Sequence, residues 1–167
     1  DGLMVISKYL ESYYVKNDCL IRIPPLVDLE EEKWRAGSEQ ESCPVKFVYA
    51  GSPGGKQKDK LDLLIQAFYE LDPNYDFRFI IVGISREKHL QHYGEQAGLL
   101  DVLGEKVRFL GRLSHIESLE QVKGADFTIF MREDTRVNKA GFPTKFVESI
   151  SCGVPVITNK TSDLSDY

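Results

Sequence analysis

Seven short apolar runs that do not alternate with polar residues set the tightest limit on how this chain folds. They are Leu3–Ile6, Leu20–Ile23, Val45–Ala50, Phe77–Val82, Val107–Leu110, Phe127–Met131 and Val154–Ile157. Most are rich in Val, Ile or Phe and bounded by turn residues. A strand with one face in water alternates, whereas a strand covered on both faces reads as a continuous run, the mark of a parallel sheet between helices. The intervening stretches carry helical spacing. Leu61, Leu64, Ile65, Phe68 and Leu71 fall on one stripe, and so do Leu119, Val122 and Ala125 behind Ser114 as N-cap. A third helix is expected from Phe142-Pro143 through Ile150, with Pro143 at the first helical position and Gly153 just past the end. Strand and helix in repeated alternation predict an α/β fold, a doubly wound parallel sheet of Rossmann-like type. Gly37–Ser42 reads as a surface connection.

The composition supports a folded domain. The chain has 167 residues, 42% hydrophobic and 28% charged, enough apolar material for one core. Its net charge of −5 argues against a nucleic-acid partner, which usually requires a basic face. Cys19, Cys43 and Cys152 are odd in number and widely spaced, so a disulfide scaffold or zinc site is not expected, and a reducing compartment is. No run reaches the roughly 18–20 apolar residues of a membrane-spanning helix. The chain begins Asp1-Gly2 without a signal-peptide layout and stops at Tyr167 in a polar segment, which reads as a piece of a longer protein.

Doubly wound sheets bind ligands where strand ends enter loops, and three such loops are candidates. The first runs from Gly51 and Ser52 to Asp59. It is glycine-rich and suited to phosphate, yet it fails two phosphate motifs. Gly51 and Gly55 enclose three residues where a Walker loop has four, Gln57 follows Lys56 where Ser or Thr is required, and Ser52-Pro53 breaks a G-x-G-x-x-G. A plain polar turn remains an alternative, and the lysines at 56, 58 and 60 read as a solvated face more than as ligands, with only a tether next to the glycines to promote one of them. The second loop is Gly111-Arg112-Leu113-Ser114, in which Gly111 permits close approach and Arg112 reaches a base or phosphate; a turn with a helix cap explains it as well. The third, from Gly141 to Ile157, leads into the helix after Pro143, whose start offers N–H donors and a positive dipole end to a diphosphate. Glu148, five residues after Pro143, is either an ordinary helix-surface charge or an acceptor for both ribose hydroxyls. His89 and His92 read as helix surface rather than a metal site, and His115 as structural beside the Ser114 cap.

The third loop resembles the carboxyl-terminal signature of retaining glycosyltransferases of the GT-B fold, glycosyltransferase family four (group 1). That signature has Glu-Gly-Phe-Gly leading into a helix with a second Glu, then Cys-Gly-x-Pro-Val-Ile; here it is matched by Gly141-Phe142-Pro143-Thr144, Glu148 and Cys152-Gly153-Val154-Pro155-Val156-Ile157. Further matches follow in order. Val5–Leu10 resembles the end of the acceptor half, Ile23–Asp28 the interdomain turn, and Tyr49–Asp59 with Leu63–Phe68 the phosphate-loop strand and helix. Phe79–Gly83, Val107–Gly111 and Ala125–Phe127 complete the set.

The resemblance implies a donor-binding domain that takes a sugar from a nucleoside-diphosphate sugar, without a metal or other cofactor, and passes it to a hydroxyl with retention. Residues 1–27 would be a remnant of the acceptor domain and the interdomain connection, and 28–167 a donor-binding domain truncated at its C-terminus. By the same resemblance Glu148 holds the ribose, and Lys58 neutralises the diphosphate, with Lys56 as the competing assignment. The backbone of Gly141, Phe142, Pro143 and Thr144 meets the sugar and phosphates, with Gly51 and Ser52 in the phosphate loop and Gly111 and Arg112 near the base. The acceptor, a sugar or glycolipid in polysaccharide or glycolipid synthesis, binds the other domain, so this piece alone should not transfer. The family's setting implies a cytoplasmic location, with a peripheral place at the inner membrane face open to the full-length protein. Two departures stand out: Ala140 occupies the place of the family's first Glu, with Glu133 or Asp134 as substitutes, and Ser52 that of its phosphate-loop Arg. They keep open a non-catalytic sugar-nucleotide-binding module. A nucleotide-sugar epimerase relative is disfavoured by the missing G-x-G-x-x-G.

Overall fold

The computed structural model of the chain describes residues 1–35, 44–53 and 58–167; the connection expected at 37–42 and Lys56 lie outside the described residues. In chain order the elements are β1 (Leu3–Val5), α1 (Lys8–Tyr13), β2 (Leu20–Arg22), β3 (Val45–Ala50), α2 (Leu61–Tyr69), β4 (Phe77–Val82), α3 (Arg86–His92), α4 (Ala97–Leu103), β5 (Val107–Gly111), α5 (His115–Lys123), β6 (Phe127–Phe130), α6 (Arg136–Ala140), α7 (Thr144–Ser151) and β7 (Val156–Thr158). Five strands form one parallel sheet in the order β5-β4-β3-β6-β7, which winds outward both ways from β3. This is the doubly wound α/β architecture that the unbroken apolar runs predict. The first two runs stand apart from it: β1 and β2 pair with each other as a separate two-stranded parallel sheet.

Both faces of the main sheet are covered. On one face Tyr49, Phe79 and Ile81 meet the α2 stripe of Leu61, Leu64, Ile65 and Phe68, together with Leu100 and Leu103 of α4. The Phe68 ring stacks on Phe77 and Phe79 at centroid distances of 5.0 and 4.5 Å. On the other face Val48 and Ile80 meet Leu119 and Val122 of α5, with Cys152 and Val154. Leu71, expected on the α2 stripe, lies beyond the end of the helix and is exposed.

Local signals hold at the helix ends. Ser114 caps α5 in a reciprocal capping box with Glu117, which pulls the Glu117 carboxyl below its usual value. Pro143 sits one position earlier than expected, as the N-cap of α7 rather than its first residue, and Gly153 takes a left-handed φ of 74° past the other end. His89 corrects the expectation of a surface histidine. It is buried, its Nε2 lies 2.8 Å from Gln96 Oε1, and its ring stacks on Tyr93, so burial lowers its pKa. His92, on the same helix, is exposed.

The β1-α1-β2 unit is tied to the far end of the chain. The buried carboxylate of Asp163 accepts from the Lys8 amide at 2.8 Å and from Arg22 at 3.2 Å, and Ser7 Oγ donates to the Ala140 carbonyl at 2.8 Å. No helix among the described residues is long and apolar enough to cross a membrane.

Candidate functional site

The carboxyl ends of β3, β4, β5 and β6 lie side by side, and the loops that leave them surround a pocket of about 560 Å³. Glycines bring the strand ends together. A Cβ on Gly83 would stand 2.2 Å from the Gly51 carbonyl oxygen, so only a bare backbone fits there, and Gly83 also holds a φ of 109°. The Gly83 amide in turn donates to the Gly111 carbonyl at 2.7 Å.

Of the residues expected from the sequence, Gly51, Ser52, Lys58, Arg112, Thr144 and Glu148 line this one pocket. Gly111 abuts it through its bond to Gly83, and Gly141 lies in the turn before α7. The side chains of Phe142 and Pro143 are not in it. Both are buried, and Phe142 packs edge-on against Phe146 and Tyr167. Glu133 and Asp134 do not take the place left by Ala140: neither lines the pocket, and they pair with Lys60 at 3.3 Å and Lys139 at 2.9 Å.

Helix α7 presents its first turn, at Thr144 and Lys145, to the pocket. A buried chain of hydroxyls pins it to the sheet: Thr128 Oγ1 donates to Ser149 Oγ at 2.8 Å, and Ser149 Oγ donates to the Lys145 carbonyl at 2.7 Å. One turn further on, Glu148 meets His115 Nε2 at 3.0 Å. His115 is therefore a pocket residue rather than a structural partner of its cap.

A second group was hidden in the sequence. Because β3 and β6 are neighbours, the segments that follow them converge. Lys60 N donates to the Met131 carbonyl at 2.8 Å, and Asp59 bridges Arg132 through the backbone. The fully buried Asp59 carboxylate then gathers three donors, Tyr49 Oη at 2.7 Å, Arg132 Nε at 3.1 Å and the Lys145 ammonium. Burial, then the Asp59 charge, pushes the Tyr49 hydroxyl well above its ordinary pKa, while burial pulls Lys145 below the usual lysine value against the opposing pull of Asp59. Arg132 and Lys145 face the pocket. The sequence signal for Lys145 was its place in the first turn of α7, where a cation adds to the positive helix end; nothing local marked Arg132 or Asp59.

Several solved structures share this fold. Sucrose-phosphate synthase from Thermosynechococcus elongatus is 19% identical at a TM-score of 0.77, with 99% of this chain and 42% of that one covered. HepE from Anabaena, in complex with UDP and glucose, is 15% identical at 0.72, covering 99% and 46%. A glycosyltransferase from Rickettsia africae is 14% identical at 0.75, again covering 99% and 46%. The chain thus spans less than half the length of these structures, and no curated protein matches it in sequence. A family model described as glycosyl transferases group 1 matches residues 44–167, most of the chain and every part of the pocket, and the chain belongs to that family.

Proposed function

We propose that this chain is the donor-binding part of a retaining glycosyltransferase, which takes a sugar from a nucleoside diphosphate and passes it to a hydroxyl of a sugar or glycolipid acceptor. The observation that carries the reading is one pocket at the strand ends that joins the Glu148 carboxylate, the start of α7 and a group of cations. A nucleotide sugar needs those three features: an acceptor for ribose hydroxyls, a positive end for the diphosphate, and charge to stabilise its departure. In the reaction the bond between the anomeric carbon and the diphosphate oxygen breaks, the acceptor oxygen takes its place, and the acceptor proton is released. Lys58 at the pocket rim and the start of α7 would stabilise the charge that develops on the diphosphate. The UDP and glucose held by HepE agree with this class of donor.

Residues 28–167 would form the donor half, and 1–27 the edge of an acceptor half. An isolated two-stranded sheet is marginal in water, and β1–β2 exposes Met4 and Ile21 on one face, which a packed layer of an acceptor half would cover. The setting we propose is cytoplasmic, in polysaccharide or glycolipid synthesis.

One observation favours a second reading, a sugar-nucleotide-binding module without catalysis. Ala140 brings no carboxylate, and Glu133 and Asp134 are paired away from the pocket. Turnover of donor by the full-length protein with acceptor separates the two readings.

The donor site itself is tested by calorimetric titration with UDP, GDP and ADP, beside Glu148→Ala. Loss of a hydrogen-bonded carboxylate contact should cost about 1.5–3 kcal/mol, roughly ten- to a hundredfold in affinity. Equal binding in the variant removes Glu148 from the site, and no binding by the folded wild type refutes the reading.

A further inference from the structure

Two cations and one carboxylate meet at the floor of the pocket. Arg132 and Lys145 both pair with Asp59, and among the described residues no other carboxylate lies within ion-pair distance of either. All three side chains are about nine-tenths buried or more. The group therefore keeps one positive charge unbalanced, in a place where an uncompensated charge is costly. Its open side is the pocket, which both cations line.

The path of Lys145 is built rather than accidental. From the first turn of α7 its side chain crosses Gly51, where a Cβ would come within 2.9 Å of Lys145 Cε. The ammonium then lies 4.8 Å from the centroid of the Tyr49 ring and 5.6 Å from that of Phe130. Gly51 leaves the room, the two rings form the channel, and Asp59 holds the end. In the loop that leads away from β3, Ser52 offers no charge to a phosphate.

We propose that Lys145, backed by Arg132, is a diphosphate-binding residue of this site, held in place by Asp59 as its buried counter-charge. The proposal rests on the donor-site reading above, and it moves the principal cation from the loop after β3 to the first turn of α7. An incoming diphosphate completes the charge balance that the fold leaves open, and the positive end of α7 acts on the same phosphates. Lys58, exposed at the rim, is then an outer contact.

The test compares the wild type with Lys145→Met. Methionine keeps the unbranched path over Gly51 and leaves the Arg132–Asp59 pair neutral. Both proteins are titrated calorimetrically with UDP, GDP and ADP, with the matching nucleosides, and with inorganic pyrophosphate, and melting is followed by circular dichroism. For the nucleotide that the wild type binds, the variant should bind at least tenfold more weakly. The matching nucleoside should keep its affinity within twofold, and pyrophosphate binding should vanish. A folded variant that binds nucleotide and pyrophosphate as the wild type does overturns the proposal and leaves the donor reading standing. A wild type that binds pyrophosphate through Lys145 but none of the three nucleotides supports the anion site and refutes the donor reading. A wild type that binds neither refutes both. Should the Met variant fail to fold, Lys145→Gln, which can still donate to Asp59, is read in the same way.

Discussion

Asp59 shows how much one buried charge depends on its partners, since among the described residues Tyr49, Arg132 and Lys145 donate to its carboxylate in place of bulk solvent. Tyr49→Phe removes one donor and keeps the ring. A hydrogen bond to a charged group contributes about 1.5–3 kcal/mol, so the variant should unfold at correspondingly lower denaturant concentration. The hydroxyl also gives the fold a pH signature. Its folded pKa lies well above 10.0, the ordinary tyrosine value. Above about pH 10 the unfolded chain loses this proton while the folded chain keeps it, so the stability is present below that pH and is lost as pH rises beyond it. Denaturant melts from pH 8 to 11 should show a steeper alkaline loss in the wild type than in Tyr49→Phe; parallel curves would refute the assignment. None of this was legible in the sequence. Asp59 and Lys145 are 86 positions apart, and no local pattern around either one names the other.

Helices and strand ends obey more local rules, and here the sequence was a good guide. Ser114 read as the N-cap of a helix, and the structure adds Glu117 to it in a capping box. Ser114→Ala should cost about 1 kcal/mol, measured by chemical denaturation, with no change in the sheet. The crossing of strand ends gives a sharper contrast between two glycines. Gly83→Ala drives a Cβ into the Gly51 carbonyl at a backbone angle that alanine resists, so thermal melts should show a clear loss and nucleotide affinity should fall with it. Gly98→Ala, in α4 with open space around it, should instead stabilise by up to about 1 kcal/mol. Equal effects at the two sites would contradict the packing described. Gly83 stood in plain view after an apolar run, but its role depends on a neighbouring strand that no local pattern names. His89 was misread for a similar reason, because besides Tyr93 at the end of its own helix and Gln96 just beyond, its ring packs against Phe109 of β5.

At the scale of the whole molecule, a chain of net charge −5 gathers cations at one end of its sheet. The β1-α1-β2 unit hangs from that sheet by a few bonds, of which the buried Asp163 carries two. Asp163→Asn weakens both, so hydrogen exchange should accelerate across β1, α1 and β2 while β3 to β7 keep their protection; uniform acceleration would mean that the two sheets open as one unit. The sequence by itself determined the strands of the main sheet, its doubly wound class, the Ser114 cap and the places where loops leave the strand ends. Each of these follows from the spacing of apolar residues or from the backbone demands of Gly, Pro and Ser within a few positions. Only the tertiary structure decided which side chains meet. His115 opposite Glu148 and Lys145 against Asp59 and Arg132 exist because β3 lies between β4 and β6. Strand order places the loop ends next to one another, and it is settled by packing across both faces of the sheet rather than by any stretch of sequence taken alone.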